Sequence, residues 1–185
     1  MIFAIQMTTT EQIMILGQKV MERSFEIVKA PLSESTMLWI LGPMVIALLL
    51  MSFYFGRYKS EELGWNTAFG NSLILIFASV DLLRYLFNHG GLFSFSIQNA
   101  LVFAVIAQGI LLTFLNFFHL LPKSFAFGMS SGMTVNIVVL FVIILIYSQL
   151  PLDYITAIAC AILSAVIIGI ISIIQLLQPT VIEEE

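Results

Sequence analysis

The hydrophobic positions of this chain form one amphipathic stretch near the start, followed by a series of long and almost continuous apolar runs. Between Thr10 and Ala30, apolar and charged residues recur at helical spacing on opposite sides of a helical wheel, and Pro31 is expected to end this helix. The apolar side carries Ile13, Leu16, Val20, Met21, Phe25, Ile27 and Val28, and the charged side carries Lys19, Glu22, Arg23, Glu26 and Lys29. We expect this helix to lie in the bilayer interface; the alternative is that its apolar face packs on the protein's own spans or on a partner.

Five further stretches are each long and apolar enough to cross a bilayer as a helix. A hydrocarbon core about 30 Å thick needs about 20 residues of helix. The predicted spans are residues 36–55, 63–87, 97–121, 133–149 and 154–177. They divide the chain into an N-terminal region (residues 1–35), a transmembrane domain (residues 36–178) and an acidic tail (residues 179–185). The predicted fold is therefore an all-α integral membrane protein with about five transmembrane helices, preceded by an amphipathic interfacial helix.

The composition points in the same direction. Of the 185 residues, 60% are hydrophobic and 10% are charged, whereas a soluble domain has roughly 25% charged residues. The sequence has no basic patch of the kind that binds nucleic acid, so we expect the lipid bilayer, and not a nucleic acid, to be the principal partner. The single cysteine, Cys160, lies in an apolar run, which excludes an internal disulfide and is typical of a buried structural thiol.

The distribution of lysine and arginine gives an expected orientation in the cell membrane. Residues 89–99 and 149–153 contain neither residue type, which is typical of external connections, while Arg57, Lys59 and Lys123 mark the internal side. This assignment places the N-terminus outside and the C-terminus inside. The basic residues that precede the first span argue for the reverse orientation.

The least expected residues of the predicted spans are ionisable or amide side chains, because a charge costs free energy in hydrocarbon. The second span carries three of them on one face and the third span carries three in a sparse polar stripe. These candidate residues are Asp81, Arg84 and Asn88 on the second span and Gln108, Asn116 and His119 on the third. In one interpretation, Asp81 and Arg84 neutralise each other as a structural pair near the headgroups; in the other, the polar residues line a pathway or a ligand pocket.

The fifth span carries small residues at every fourth position. The face consists of Ala157, Ala161, Ala165 and Gly169, continued by Ser172. Small residues in a line let two helix backbones approach closely in lipid, where packing contributes much of the association energy. This face is therefore expected to pack against another helix. That helix belongs either to the same bundle or to a second copy or a partner membrane protein.

Motifs that would indicate an enzyme are missing from the sequence. His89 and His119 do not have the spacing of a metal site, and the sequence contains no HExxH, no CxxC, no paired carboxylates and no phosphate-binding loop. We therefore predict no catalytic site, metal or cofactor. The function that this pattern favours is a non-catalytic membrane subunit or scaffold that acts through helix–helix contacts.

Two other functions remain open at this point. The first is a small channel or transporter, with a polar pathway that uses Asp81, Arg84, Gln108, Asn116 and His119. The second is a lipid-modifying enzyme that depends on His119, for which the residues suggest no substrate.

Overall fold

The computed structural model describes residues 9–58, 64–91 and 96–179, and the regular elements within these ranges are all helical. The predicted acidic tail lies outside the described residues except for Pro179, as do residues 1–8 of the N-terminal region and the first residue of the predicted second span. A 3-10 turn, Ser35–Met37, joins the first two helices. The helices are α1 (Thr9–Ser33), α2 (Leu38–Arg57), α3 (Trp65–Asn88), α4 (Ile97–Phe117), α5 (Lys123–Met129), α6 (Gly132–Tyr147) and α7 (Tyr154–Leu177).

Five helical segments of the described chain are long and apolar enough to cross a membrane, which confirms the predicted all-helical class and number of candidate spans. Their bounds are Ser35–Arg57, Trp65–Asn88, Ile97–Phe117, Lys123–Tyr147 and Tyr154–Leu177. The fourth segment is longer than predicted. It begins before residue 133 with the short helix α5, which is followed by a break before α6.

The candidate spans alternate in direction, so the bundle has two ends. We call the end where α3 and α6 finish and α2, α4 and α7 begin the Tyr147 end, and the opposite end the Trp65 end. Three hydrogen bonds define this arrangement. The Tyr85 hydroxyl donates to the Tyr147 carbonyl at 3.1 Å, the Gln175 amide donates to the Ser52 carbonyl at 3.2 Å, and the Asn116 amide donates to the Ala68 carbonyl at 3.2 Å.

Helix α6 forms the centre of the bundle. Eleven of its 16 residues are buried, and it contacts α1, α2, α3, α4 and α7. Its sequence is apolar on all sides, which is typical of a helix surrounded by other helices. In contrast, α7 lies at the periphery, where it packs mainly on α1 and α2 and has three buried residues.

Helices α3 and α4 approach each other closely at Gly109. A Cβ atom at this position would lie 3.0 Å from the Cβ of Leu75 and 3.3 Å from the backbone nitrogen of Ile76. Gly109 is therefore required by the packing distance between the two helices and not by an unusual backbone conformation.

Helix α1 ends later than predicted, and part of its apolar side packs on the candidate spans, which was the alternative expectation. It continues through Pro31 to Ser33, although Pro31 has no N–H to donate to the Ile27 carbonyl. The last turn of α1 is completed by the Glu34 N–H, which donates to the Ala30 carbonyl at 2.9 Å. Helix α1 packs against α7 and α6, and this contact buries Val20 and Ile27.

Candidate functional site

The break between α5 and α6 exposes peptide groups that a continuous helix would pair internally. The Ser130 N–H completes α5 by donating to the Ala126 carbonyl at 2.9 Å. Ser131 then begins α6 as its N-cap, with its hydroxyl oxygen accepting from the Thr134 N–H at 3.1 Å. A break of this kind inside an apolar segment needs partners from neighbouring helices, because lipid supplies none.

Two asparagines from neighbouring helices supply these partners. Asn71 of α3 donates to the Ser130 carbonyl at 2.8 Å, and Asn116 of α4 donates to the Ser130 hydroxyl at 2.8 Å and to the Ala68 carbonyl at 3.2 Å. Asn116 and Ser130 are fully buried. The two amides therefore tie α3, α4 and the α5–α6 break into one cluster, which we call the amide cluster. Its side chains are neutral, so it can bind or position polar groups but has no titratable group for acid–base chemistry.

The assignment of the Asn116 amide follows from its partners. Its nitrogen points at the Ala68 carbonyl, which can only accept, so the reverse orientation would place two oxygens together. The side-chain oxygen of Asn116, Oδ1, is buried and has no hydrogen-bond partner among the described residues. Sequence analysis placed Asn116 among the candidates, but Asn71 and Ser130 were missed because nothing local marks them as its neighbours.

His119 lies at the Trp65 end, close to the amide cluster in sequence but exposed. It adopts a left-handed backbone conformation with φ of 53° and ends α4, with its N–H donating to the Asn116 carbonyl at 3.3 Å. Its ring stacks on Trp65 with 4.3 Å between ring centroids. The structure therefore gives His119 a helix-ending and ring-stacking role at the surface.

Asp81 and Arg84 lie near the Tyr147 end, where Asp81 contacts both Arg84 and Tyr147. The Arg84 guanidinium pairs with one carboxylate oxygen of Asp81, and the Tyr147 hydroxyl donates to the other at 2.7 Å. The Asp81 side chain is 16% exposed and that of Arg84 is 68% exposed. The ring of Tyr85 stacks on Tyr147 at 4.1 Å. Asp81 is thus held by one neighbour on its own helix and by one on α6.

The predicted polar residues therefore fall into two groups at opposite ends of the bundle. Asp81, Arg84 and the exposed Asn88 belong to the Tyr147 end, while Asn116 and His119 belong to the Trp65 end. Gln108 lies half-buried between them on α4. The structure brings together Asp81 with Arg84, but it does not join the two groups in one cluster.

The small residues of α7 form an exposed face. In the described part of the chain Ala157, Ala161, Ala165 and Gly169 are exposed, and Ser172 is half-buried. A Cβ added at Gly169 would meet no atom within 4 Å. The helix instead buries Thr156, Ala159 and Ile171 against the bundle. The expected alternative in which this face packs inside the same bundle is therefore not what the single chain adopts.

An apolar groove adjoins this face. It has a volume of about 590 Å³ and lies between α4 and α7, with α6 as its floor. Small residues line both of its walls, namely Ala100 and Ala104 on α4 and Ala157, Cys160 and Ser164 on α7. The groove and the small-residue face together form a continuous surface, which we call the α7 surface.

No family model, curated protein or solved structure matches this chain significantly. Within residues 9–58, 64–91 and 96–179, no group of three or more His, Cys, Asp or Glu side chains is placed to hold a metal ion.

Proposed function

We propose that this protein is a multi-pass membrane protein that acts as a non-catalytic subunit or scaffold, joining a second copy of itself or another membrane protein through the α7 surface. The observation that carries this proposal is the exposure of Ala157, Ala161, Ala165 and Gly169 on a helix of spanning length. Burial between helices in lipid brings a large side chain no hydrophobic gain, whereas small residues allow close van der Waals contact between backbones. A row of small residues directed away from the bundle is therefore suited to contact with another helix.

The proposal includes insertion of all five candidate spans into the cell membrane, with the N-terminus outside and the C-terminus inside. Support comes from residues 89–99 and 149–153, which contain no lysine or arginine and follow α3 and α6, the two helices that end together at the Tyr147 end. Reporter fusions at the two termini test the arrangement. Signals from the same compartment would contradict an odd number of spans.

Enlarging the small-residue face is expected to weaken association. With Ala165→Leu combined with Gly169→Leu, branched side chains stand where two backbones would meet, so we expect the dissociation constant of the oligomer to rise at least tenfold, or about 1.4 kcal/mol. The measurement is the molecular mass in mild detergent by light scattering over a dilution series, together with recovery of co-purifying proteins.

The matched control is Ala107→Leu, which adds the same side chain at an exposed position of α4 outside the groove. This variant is expected to associate like the unaltered protein. A protein that is monomeric at every concentration and purifies alone would contradict the proposal, as would an oligomer that tolerates the changes in α7.

A second candidate function, a small channel or transporter, is favoured by the break between α5 and α6. Interrupted helices often form the substrate sites of transporters, where irregular backbone lines a cavity. A cavity of about 280 Å³ touches the start of α6 at Ser131 and Gly132 and is also lined by Ser52 of α2 and Gln175 of α7. In this alternative, the polar pathway would run between the amide cluster and Asp81.

Flux through reconstituted vesicles separates the two functions. A pathway predicts proton or ion flux above that of empty vesicles, with at least a fivefold decrease in Asp81→Asn because the carboxylate charge is lost. The matched control is Glu22→Gln, which removes an exposed carboxylate of α1 and is expected to leave flux unchanged. Equal flux in protein-containing and empty vesicles would exclude the pathway and leave the scaffold.

A further inference from the structure

Most apolar residues of α1 fall on two separate faces, and the exposed Ile13 and Ile15 lie outside both. Val20, Ile27 and Ala30 are buried against the bundle. A second set of apolar side chains is more than half exposed. This outer apolar face consists of Met14, Met21, Phe25, Val28 and Leu32. Periodicity in the sequence merges the two sets into one wide apolar side, and only the packing of α1 on α7 separates them.

The angular positions of these residues give α1 three distinct surfaces. At about 100° per residue, the outer apolar face occupies about 60° of the helix circumference. The buried face is centred about 145° away on one side. The exposed charged residues Lys19, Glu22, Glu26 and Lys29 are centred about 110° away on the other side. No charged residue lies within the outer apolar face.

Arg23 fixes the rotation of α1 on the bundle. Its side chain is 15% exposed and pairs with Glu26 at 2.9 Å and with Asp153 at 3.7 Å. It also donates to the Pro151 carbonyl at 3.1 Å and to the Thr156 hydroxyl at 2.5 Å. Asp153 caps α7 by accepting from the Thr156 N–H, and this hydrogen bond holds the pKa of the Asp153 carboxyl below its usual range. Asp153 therefore stays anionic beside Arg23, and α1 cannot roll without breaking these contacts.

The position of α1 identifies what surrounds its remaining faces. The connection between α6 and α7, which Arg23 contacts, lies at the Tyr147 end. The 3-10 turn Ser35–Met37 leads directly from α1 into α2 at the same end. A helix beside the end of a membrane bundle meets three surroundings, namely protein, lipid and water, and α1 has one face suited to each.

We propose that the outer apolar face of α1 binds the bilayer surface at the Tyr147 end, with its side chains in the boundary between headgroups and acyl chains. The buried face then rests on α7, and the charged face contacts water. Because the charged face carries both lysine and glutamate, the contact is apolar in origin and does not require anionic lipid. This inference rests on the proposed insertion of the five spans, and it is independent of the scaffold role.

The test places single fluorescent labels on the full-length protein in vesicles of phosphatidylcholine alone, after Cys160→Ser removes the native thiol. Labels at Met21→Cys and Val28→Cys report on the outer apolar face, and a label at Glu22→Cys is the matched control on the charged face. A label at Ile170→Cys, an exposed position of α7, reports separately on insertion of the bundle.

We expect quenchers attached to lipid chains to quench positions 21 and 28 at least threefold more than position 22, and aqueous iodide to show the reverse order. Adding anionic lipid is expected to change these ratios by less than a factor of 1.5. Equal iodide quenching at all three positions would overturn the proposal, and protection from both quenchers would assign the face to a protein partner instead. Lipid quenching absent at position 170 would overturn the proposed insertion, whereas its presence with water-exposed labels on α1 would overturn this inference alone.

A second variant tests the role of Arg23. Arg23→Gln keeps a hydrogen-bond donor but removes the charge that pairs with Asp153 and Glu26. The contrast in lipid quenching between positions 28 and 22 is expected to fall at least twofold, because α1 can then roll. An unchanged contrast would show that rotation is fixed by apolar packing alone and would overturn this role of Arg23.

Discussion

Replacing Gly109 by leucine is expected to force α3 and α4 apart and to destabilise the bundle strongly. Even a single added carbon would lie 3.0 Å from the Cβ of Leu75 and 3.3 Å from the backbone nitrogen of Ile76. The Ile76 nitrogen belongs to the helix backbone, so it can move only if α3 moves as a whole. Overpacking of a well-packed core costs about 1–3 kcal/mol per site, and a leucine at a backbone contact is expected to lie at or above the upper end of that range.

The measurement is the midpoint of thermal unfolding in detergent, compared with that of Gly70→Leu. Gly70 lies on α3, is exposed, and has open space where a Cβ would be added. Both variants exchange the same residue types and gain the same helix propensity, so their difference reports the packing contact alone. Gly109→Ala is expected to give an intermediate loss. A similar midpoint for Gly109→Leu and Gly70→Leu would show that the two helices do not meet closely at this position.

The five candidate spans could be predicted from the sequence because each is an apolar run of sufficient length, and that signal is local. The break within the fourth segment could not be predicted in the same way. Its residues are compatible with a helix, a turn or a linker, and the arrangement is stabilised by Asn71 and Asn116 from two other helices. Asn71 is 59 positions from Ser130, and Asn116 is 14 positions from it. Hydrogen bonds over such separations do not affect the local hydrophobic periodicity.

For the candidate residues, too, contacts that are local in sequence could be predicted and distant ones could not. The pairing of Asp81 with Arg84 follows from their spacing of three residues on one helix. Their third partner, Tyr147, is 66 residues from Asp81 and ends an apolar helix, where a tyrosine is also typical of the membrane interface. Likewise, the wheel of α1 predicts a wide apolar side, but it cannot show which part of that side the bundle covers.

The exposure of the α7 face could not be predicted either, because small residues at four-residue spacing suit contacts within a bundle and between bundles equally. In the structure, the bundle leaves this face uncovered. The helix buries Thr156, Ala159 and Ile171 on one side, and it has no helix of the described chain over Ala161 and Ala165. The scaffold proposal thus depends on tertiary placement and not on the repeat itself.

Removing the amide cluster is expected to have the second large effect on stability. Asn71→Leu combined with Asn116→Leu removes three hydrogen bonds between helices, including both that reach Ser130 from α3 and α4. Each such bond contributes about 0.6–2 kcal/mol in a membrane helix bundle. Leucine also removes the unpartnered Asn116 oxygen, which offsets part of the loss, so we expect a net destabilisation of about 1–4 kcal/mol.

The loss of stability is expected to be localised at the α5–α6 break. The Ser130 carbonyl and hydroxyl lose their partners at the α5–α6 break, so backbone amides of residues 130–135 are expected to exchange with deuterium at least tenfold faster, while those in the middle of α6 stay protected. The matched control is Asn136→Leu, because the Asn136 amide donates to the Gly132 carbonyl within its own helix at 2.7 Å and forms no hydrogen bond to another helix of the described chain. If Asn136→Leu lowered the unfolding midpoint and opened the break as much as the double variant does, hydrogen bonds between helices could not be what holds the break in place. Asn71 and Asn116 would then act only by occupying buried volume. Apolar packing alone would determine the shape of the cavity beside Gly132.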